Sequence, residues 1–331
     1  MTETGQFLAV MSQRITEAET ALHNGDAHPR IAMWSRTDPL TLFGAAISGV
    51  GWGEIGPIFD ALGRQFSNCT SFRNEVVGAE ARGDLAYTVA LEHTTGSING
   101  AEPKPYVLRV TTIFRREEGE WKVVHRHGDA LTTDSGALVR RLAPAEREHA
   151  LPAGERQREA SPPPAGRRST SRPEQAERLG PARTLAAAET DLADFLATAL
   201  PRQVETESAW HQRDLDARLA LWSTREPVTL FGGGGACVSS SDEVRRNFRT
   251  AVTGIVPCRS FDYDLVAAGG GGELAYTVGY EHISFDPGPV QGYTLRVTYL
   301  YRRENGEWKI VHRHADVPPT GQPLRAGAST E

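Results

Sequence analysis

Two histidines spaced i, i+2 on a strand point the same way, and this sequence has that arrangement twice, in EWKVVHRHGD (Glu120 to Asp129) and EWKIVHRHAD (Glu307 to Asp316). His125, His127, His312 and His314 are candidate catalytic groups, since imidazole can give or take a proton near neutral pH. With His93 and His282 on a preceding apolar run they could also supply three metal ligands per copy. Three readings compete: core or interface histidines satisfied by backbone carbonyls, pocket-lining donors or proton shuttles, and a metal site. Arg109 and Arg296 could capture a ligand carboxylate with the guanidinium fork, or pair with Glu92 and Glu281 across neighbouring strands. Tyr87 and Tyr276 could donate to a ligand oxygen, and Trp34 and Trp222 could form a pocket floor, with plain packing the competing role for both pairs. No carboxylate base with paired acid donors can be placed. Asp26 and Asp214 read as helix caps, and Glu92 and His93 are adjacent on one strand and point apart. Asp129 and Asp316 end the last strand, from which they could reach the mouth of a pocket.

These residues recur because the chain is a tandem duplication. MWSRTDPLTLFG (Met33 to Gly44) matches LWSTREPVTLFG (Leu221 to Gly232), and LAYTVALEH (Leu85 to His93) matches LAYTVGYEH (Leu274 to His282). From Tyr106 to Asp129 against Tyr293 to Asp316, 17 of 24 positions are identical without a gap. The offset drifts only between 187 and 189, so insertions fall in short loops and the repeating unit is a whole domain, too long for a solenoid. Domains are expected over residues 1–134 and 183–318. Between them, 135–182 is rich in Pro, Ala, Arg and Glu and includes SPPPAGRRSTSRP, a composition that cannot bury enough apolar surface to fold and predicts a flexible linker. A disordered tail is expected over 319–331.

Each unit should open with helices. Phe7, Val10, Met11, Ile15, Ala18 and Leu22 fall on one helical face, a short helix should hold Ile31 to Trp34, and a third should run from about Ile55 to Phe66. The counterpart of the third starts at SSSDEVRRNF, where Ser241 or Asp242 can cap it. In the second copy the amphipathic run Leu185 to Leu200 reads as an extra helix, ended by Pro201. The period then changes from 3.6 to 2, and four strands follow in each copy, joined at the last turn by Glu-Gly or by Asn305-Gly306, a tight-hairpin signal. The expected fold is α+β, with N-terminal helices on an antiparallel meander. Strand alternation separates Tyr87, Val89, Leu91, His93, Tyr106, Leu108, Trp121, Val123, His125 and His127 from Glu92, Arg109, Thr111, Arg115 and Arg126. The first set is assigned to the pocket and helix-packed core, the second to a face where the two copies meet. A bulge in any strand would exchange part of that assignment.

The order of elements, with W-S near the start of the first strand, TLFG after it, R-V-T in the third long strand and W-K-hydrophobic-V-H-x-H in the last, resembles the SnoaL-like and ketosteroid-isomerase-like members of the nuclear transport factor 2 superfamily. The association domain of calcium/calmodulin-dependent protein kinase is similar in its final strand. The resemblance implies two cone-shaped units, each a curved sheet closed by helices around an apolar pocket. Members commonly dimerise through the outer sheet face, which implies an intramolecular pseudo-dimer here, favoured by a linker that holds one unit at about millimolar concentration for the other. It also implies binding of, or proton-transfer chemistry on, a small organic molecule such as a carboxylate or ketone, as in an isomerase, cyclase or dehydratase. A non-catalytic interaction module and a metal-dependent enzyme are the alternatives. No cofactor is expected. A net charge of -6 offers no basic field for nucleic acid or an anionic membrane. Three cysteines without CxxC spacing, no signal-like start and no apolar run of 18 residues lead to the expectation of a cytoplasmic protein.

Overall fold

The computed structural model describes residues 1–134, 185–286 and 291–320; the linker expected over 135–182, and the tail beyond residue 320, lie outside them. The first unit runs α1 (Glu3–Leu22), α2 (His28–Met33), β1 (Thr41–Phe43), β2 (Ser48–Val50), α3 (Trp52–Gln65), β3 (Phe66–Arg82), β4 (Leu85–Ile98), β5 (Lys104–Glu117) and β6 (Glu120–Ala130). The second repeats it as α4 (Leu185–Trp210), α5 (Leu215–Leu221), β7 (Thr229–Phe231), β8 (Cys237–Val238), α6 (Ser241–Ala251), β9 (Ser260–Gly271), β10 (Leu274–Ser284), β11 (Gly292–Glu304) and β12 (Glu307–Asp316). Each unit has a six-stranded sheet, ordered β2-β1-β6-β5-β4-β3 and β8-β7-β12-β11-β10-β9. The four long strands are the expected meander, but β1 joins β6 in parallel, so the sheets are mixed. The β2 strand lies in the glycine-rich stretch before α3 and pairs antiparallel with β1.

Local signals account for most boundaries. Thr2 caps α1 by accepting from the Gly5 N–H at 3.1 Å, and Asp214 caps α5 by accepting from Ala217. The cap of α6 is Ser240, one residue before the expected Ser241, and it accepts from the Glu243 N–H. Glu118-Gly119 and Asn305-Gly306 both have positive φ at two successive residues, the backbone of a type I′ hairpin turn, where glycine avoids a Cβ clash.

The Leu185 helix is not an added element. It continues through Pro201 to Trp210 and is the counterpart of α1. Phe195 stands on Tyr301 and Trp308, with ring centroids 5.0 and 5.1 Å away, as Phe7 stands on Phe114 and Trp121 at 5.2 Å each. Phe195, Ala199, Gln203 and Glu207, spaced by four, are all buried along one stripe. That packing outweighs the backbone bond lost at proline, about 3 kcal/mol.

The two sheets face one another. Phe231, Val278, Tyr280 and Leu300 of the second unit belong to the same buried apolar cluster as Val89, Ile113 and Val124 of the first. Charged bridges cross at the edge, from Arg302 to Glu80 at 2.9 Å and from Arg82 to Glu273 at 2.6 Å. The chain is thus an internal pseudo-dimer, with β4 to β6 and β10 to β12 largely buried on both faces and the edge strands β3 and β9 partly exposed.

Because Phe195 seats α4 on its sheet with no exposure, Phe195→Ala should destabilise the protein by about 3–5 kcal/mol. Denaturant unfolding checks this, and a change under 1 kcal/mol would mean that the helix is dispensable.

Candidate functional site

A one-residue bulge decides which side chains face where. In β6 the register jumps between Ile113↔His125 and Phe114↔Val123, leaving Val124 as the extra residue. Trp121 and Val123 therefore face the helices, and His125 and His127 face the other unit. An equivalent bulge at Val311 does the same for His312 and His314. On β4, Tyr87, Val89 and Leu91 pair with Ile113, Thr111 and Arg109 and share their side, the seam, whereas Glu92 pairs with Leu108. The assignment made from alternation is thus reversed for Tyr87, Val89, Leu91, His125, His127, Glu92 and Arg126, and holds for Arg109, Thr111, Tyr106 and Leu108.

At the seam the four histidines form two hydrogen-bond chains related by the pseudo-twofold. His127 Nε2 lies 2.9 Å from Asp316 Oδ1. A carboxylate accepts, so Nε2 carries the proton and Nδ1 must accept, from the Thr298 hydroxyl at 3.0 Å. Thr298 Oγ1 then accepts from His125 Nε2 at 2.8 Å, and His125 Nδ1 accepts from the Thr41 hydroxyl at 2.6 Å. The mirror chain runs from Thr229 to His312 (2.7 Å), Thr111 (2.7 Å), His314 (2.9 Å) and Asp129 (2.9 Å). Both nitrogens of every ring are satisfied with the rings neutral, and the rings of His127 and His314 stack at 3.8 Å. Burial, the leading cause, lowers all four pKa values, to about 4 for His127 and about 3 for His312.

Arg109 and Arg296 terminate these chains, forked onto Asp129 at 2.9 and 2.6 Å and onto Asp316 at 2.9 and 2.5 Å. The expected partners Glu92 and Glu281 are on the opposite face. Remaining guanidinium donors reach the other unit, Arg109 to the carbonyls of Gly232 and Ala236, Arg296 to the carbonyl of Gly44 and the hydroxyl of Ser48. Asp129 and Asp316 consequently belong to the seam and not to a pocket mouth.

The other expected site residues scatter. Trp34 and Trp222 are core, against Phe59 and Phe248. Tyr87 and Tyr276 are buried on the seam side, Tyr87 3.5 Å from Glu80. His93 and His282 sit apart from the other histidines, bonded to Glu75 at 3.0 Å and Asp264 at 3.1 Å. Among the described residues no group of three or more His, Cys, Asp or Glu is spaced to hold a metal ion.

A cavity of about 60 Å³ lies on the helix side of the first sheet. Leu22, Leu42, Ile47, Ile58, Phe59, Leu62, Phe66 and Leu108 make it apolar, and Glu19, His23, Arg30, Tyr106 and Arg126 give it one polar end. His23 Nδ1 is 2.7 Å from the carbonyl of Glu19, one turn earlier on α1, so it must donate. The ring stacks on Phe66 at 4.4 Å. Neutral His23 therefore offers Nε2 as an acceptor, and burial, the largest cause, lowers its pKa to about 4. Arg30 pairs with Glu19, and burial brings its pKa down to about 9. Arg126 pairs with Glu92 at 2.5 Å, and burial raises the Tyr106 phenol, which stays protonated with Thr94 beside it. Two guanidiniums and two carboxylates cancel, so the polar end is close to neutral.

The apolar stripe of α1 does not reveal these pocket residues. The signal was in the duplication: Glu19, His23 and Arg30 recur as Glu207, His211 and Arg218 at one offset, in helices otherwise much diverged.

The family model described as SnoaL-like domain matches twice, at residues 12–131 and 205–319, well over half of the sequence. The chain belongs to the SnoaL-like domain family. Both SnoaL-like units run from the first helix to the end of the sixth strand, as the fold shows. Among solved structures, one named for the calcium/calmodulin-dependent protein kinase type II association domain, from Thiobacillus denitrificans, is 22% identical and covers 40% of this chain and 94% of its own, with TM-score 0.31. A nuclear transport factor 2-like family protein named for a dehydratase, from Streptomyces avermitilis, is 22% identical over 39% of this chain and 97% of its own, TM-score 0.32. One named for ketosteroid isomerase, from Parabacteroides distasonis, is 18% identical over 35% and 83%, TM-score 0.29. No curated protein matches the sequence. Among the described residues no helix is long and apolar enough to cross a membrane.

The depressed histidines set a pH dependence. Between about pH 6.5 and 4 the unfolded chain binds more protons at the seam histidines and His23 than the folded one, so their stabilising contribution is complete above 6.5 and lost as pH falls. Asp129, which burial raises to about 6, takes up a proton when folded and offsets one histidine. The midpoint of thermal unfolding should fall steadily from pH 7 to 4; a midpoint that is flat or rising over that range contradicts the neutral chains.

Proposed function

We propose that the first unit binds a compact, neutral carbonyl compound in the Leu22–Leu108 cavity and can move a proton on it. The observation that supports this reading is His23, which lines the polar end of the cavity with its Nδ1–H tied to the Glu19 carbonyl, leaving Nε2 as the acceptor of the ring. The near-neutral polar end disfavours a carboxylate, which would add an uncompensated buried charge. A ketone would instead accept from the Tyr106 hydroxyl, its body lying against Leu42, Ile58 and Leu62. Nε2 would take a proton from the adjacent carbon, the C–H electrons would form the carbon–carbon double bond of an enolate as the carbonyl π electrons move onto oxygen, and the developing oxyanion would be held by Tyr106. A base with a pKa near 4 needs an acidic C–H, such as one flanked by two carbonyls or one that loses a β-hydroxyl as water. Isomerisation, cyclisation and dehydration share that first step. The seam histidines have no part in it.

A panel of compact ketones and matched carboxylates, followed by thermal unfolding, tests the ligand class. A ketone at 100 times its dissociation constant should stabilise the protein by about 2.7 kcal/mol, and Tyr106→Phe should weaken it by about tenfold, the net worth of one hydrogen bond. His23→Gln should abolish deuterium exchange from solvent into the α-carbon of the bound ketone. Stabilisation by carboxylates alone, or exchange unaffected by His23→Gln, would reject the reading.

A further inference from the structure

The two units are copies, yet their helix-side polar clusters are built differently. In the second unit Trp210 stands at the position of Leu22, tilted against Phe248 (centroids 5.6 Å apart) and with Arg218 4.5 Å over its ring. Tyr299, with no exposure, stands at the position of Thr112. Its hydroxyl donates to Glu281 at 2.5 Å and accepts from Arg313 at 2.9 Å, so it joins the directly bonded pair that corresponds to Glu92 and Arg126. His211 keeps the tie to the helix, with Nδ1 2.9 Å from the Glu207 carbonyl. Its Nε2, however, is taken by the Tyr293 hydroxyl at 3.4 Å. Tyr293 itself is 42% exposed, whereas its counterpart Tyr106 is 3% exposed and lines the cavity. The loop after β7 also lies close over the sheet, since a Cβ on Gly233 would stand 3.1 Å from Leu295, the counterpart of the cavity-lining Leu108.

We infer that ligand binding is confined to the first unit, with one site per chain, and that Trp210 and Tyr299 are the residues that close the second. This rests on the proposed function for the nature of the ligand, but not for the asymmetry of the cavities. Proton transfer needs an acceptor nitrogen open to the ligand and a phenol free to hold the oxyanion. In the second unit these two groups are spent on each other, and the space beside them is occupied by an indole and a second phenol. The second unit instead supplies Asp316, Thr298 and the Gly232 and Ala236 carbonyls that hold β5 and β6 of the first, the strands that carry Tyr106, Leu108 and Arg126.

Two probes test this on the full chain. Xenon enters apolar cavities whatever their chemistry, and under xenon pressure methyl resonances of Leu42, Ile58, Leu62 and Leu108 should shift and saturate, with Leu230 and Leu295 unmoved. Butanone titrated calorimetrically should bind at one per chain, and His23→Gln should weaken it at least tenfold. The paired change Trp210→Leu and Tyr299→Thr should create a second xenon site in the second unit. Xenon in both native units, or two butanones per chain, overturns the inference while the proposed function stands. Xenon in the first unit alone with no butanone bound overturns the proposed ligand class and leaves the asymmetry intact. Should the paired variant fail to fold, the xenon result on the native chain still decides.

Discussion

The structure depends on two fully satisfied hydrogen-bond chains buried between the sheets. Thr41, His125, Thr298, His127 and Asp316 form one, and Thr229, His312, Thr111, His314 and Asp129 form the other, each closed by an arginine fork. Each chain takes one threonine and both histidines from one unit and the other threonine and the aspartate from its partner unit, so neither unit can satisfy its own polar groups alone. A buried polar group left unpaired costs about 1–3 kcal/mol, and this seam holds many within a few ångströms. Such a network is stabilising only when complete. It specifies one register and one relative placement of the two sheets.

Burying the seam changes what the helix side can do. With both faces of β4, β5 and β6 shielded from water, charge can remain on either side only where it is paired. The helix side solves this with Glu19–Arg30 and Glu92–Arg126, leaving His23 neutral and available. One strand carries both solutions, because Arg126 lies between His125 and His127 and points the opposite way. The two polar systems therefore share a backbone without sharing a face, and strain at the seam would reach the pocket through β6.

Divergence between the copies follows from the same division. Residues of the seam chains are kept in both, since each must complement the other across the pseudo-twofold. Helix-side positions had no such constraint and drifted, Leu22 against Trp210 and Thr112 against Tyr299. The Glu–His–Arg set on α1 and α2 was retained in both units, yet in the second Tyr293, the counterpart of Tyr106, engages His211, and the added Tyr299 bonds Glu281.

The duplication, the order of helices and strands, the I′ turns at Gly119 and Gly306 and the α+β class were all legible in the sequence, because each rests on local periodicity or turn chemistry repeated twice. The end of α4 was not, since a proline that stops an isolated helix is overridden where Phe195 and Gln203 are seated on a sheet. Nor was the side on which the histidines lie. Alternation tells inside from outside only when one face meets water, and here both faces are dry, so Val89 and Tyr87 look like core while lying at the seam. A single added residue at Val124, invisible to periodicity, turned His125 and His127 toward the other unit and Arg126 toward the cavity, and only tertiary packing could make that choice.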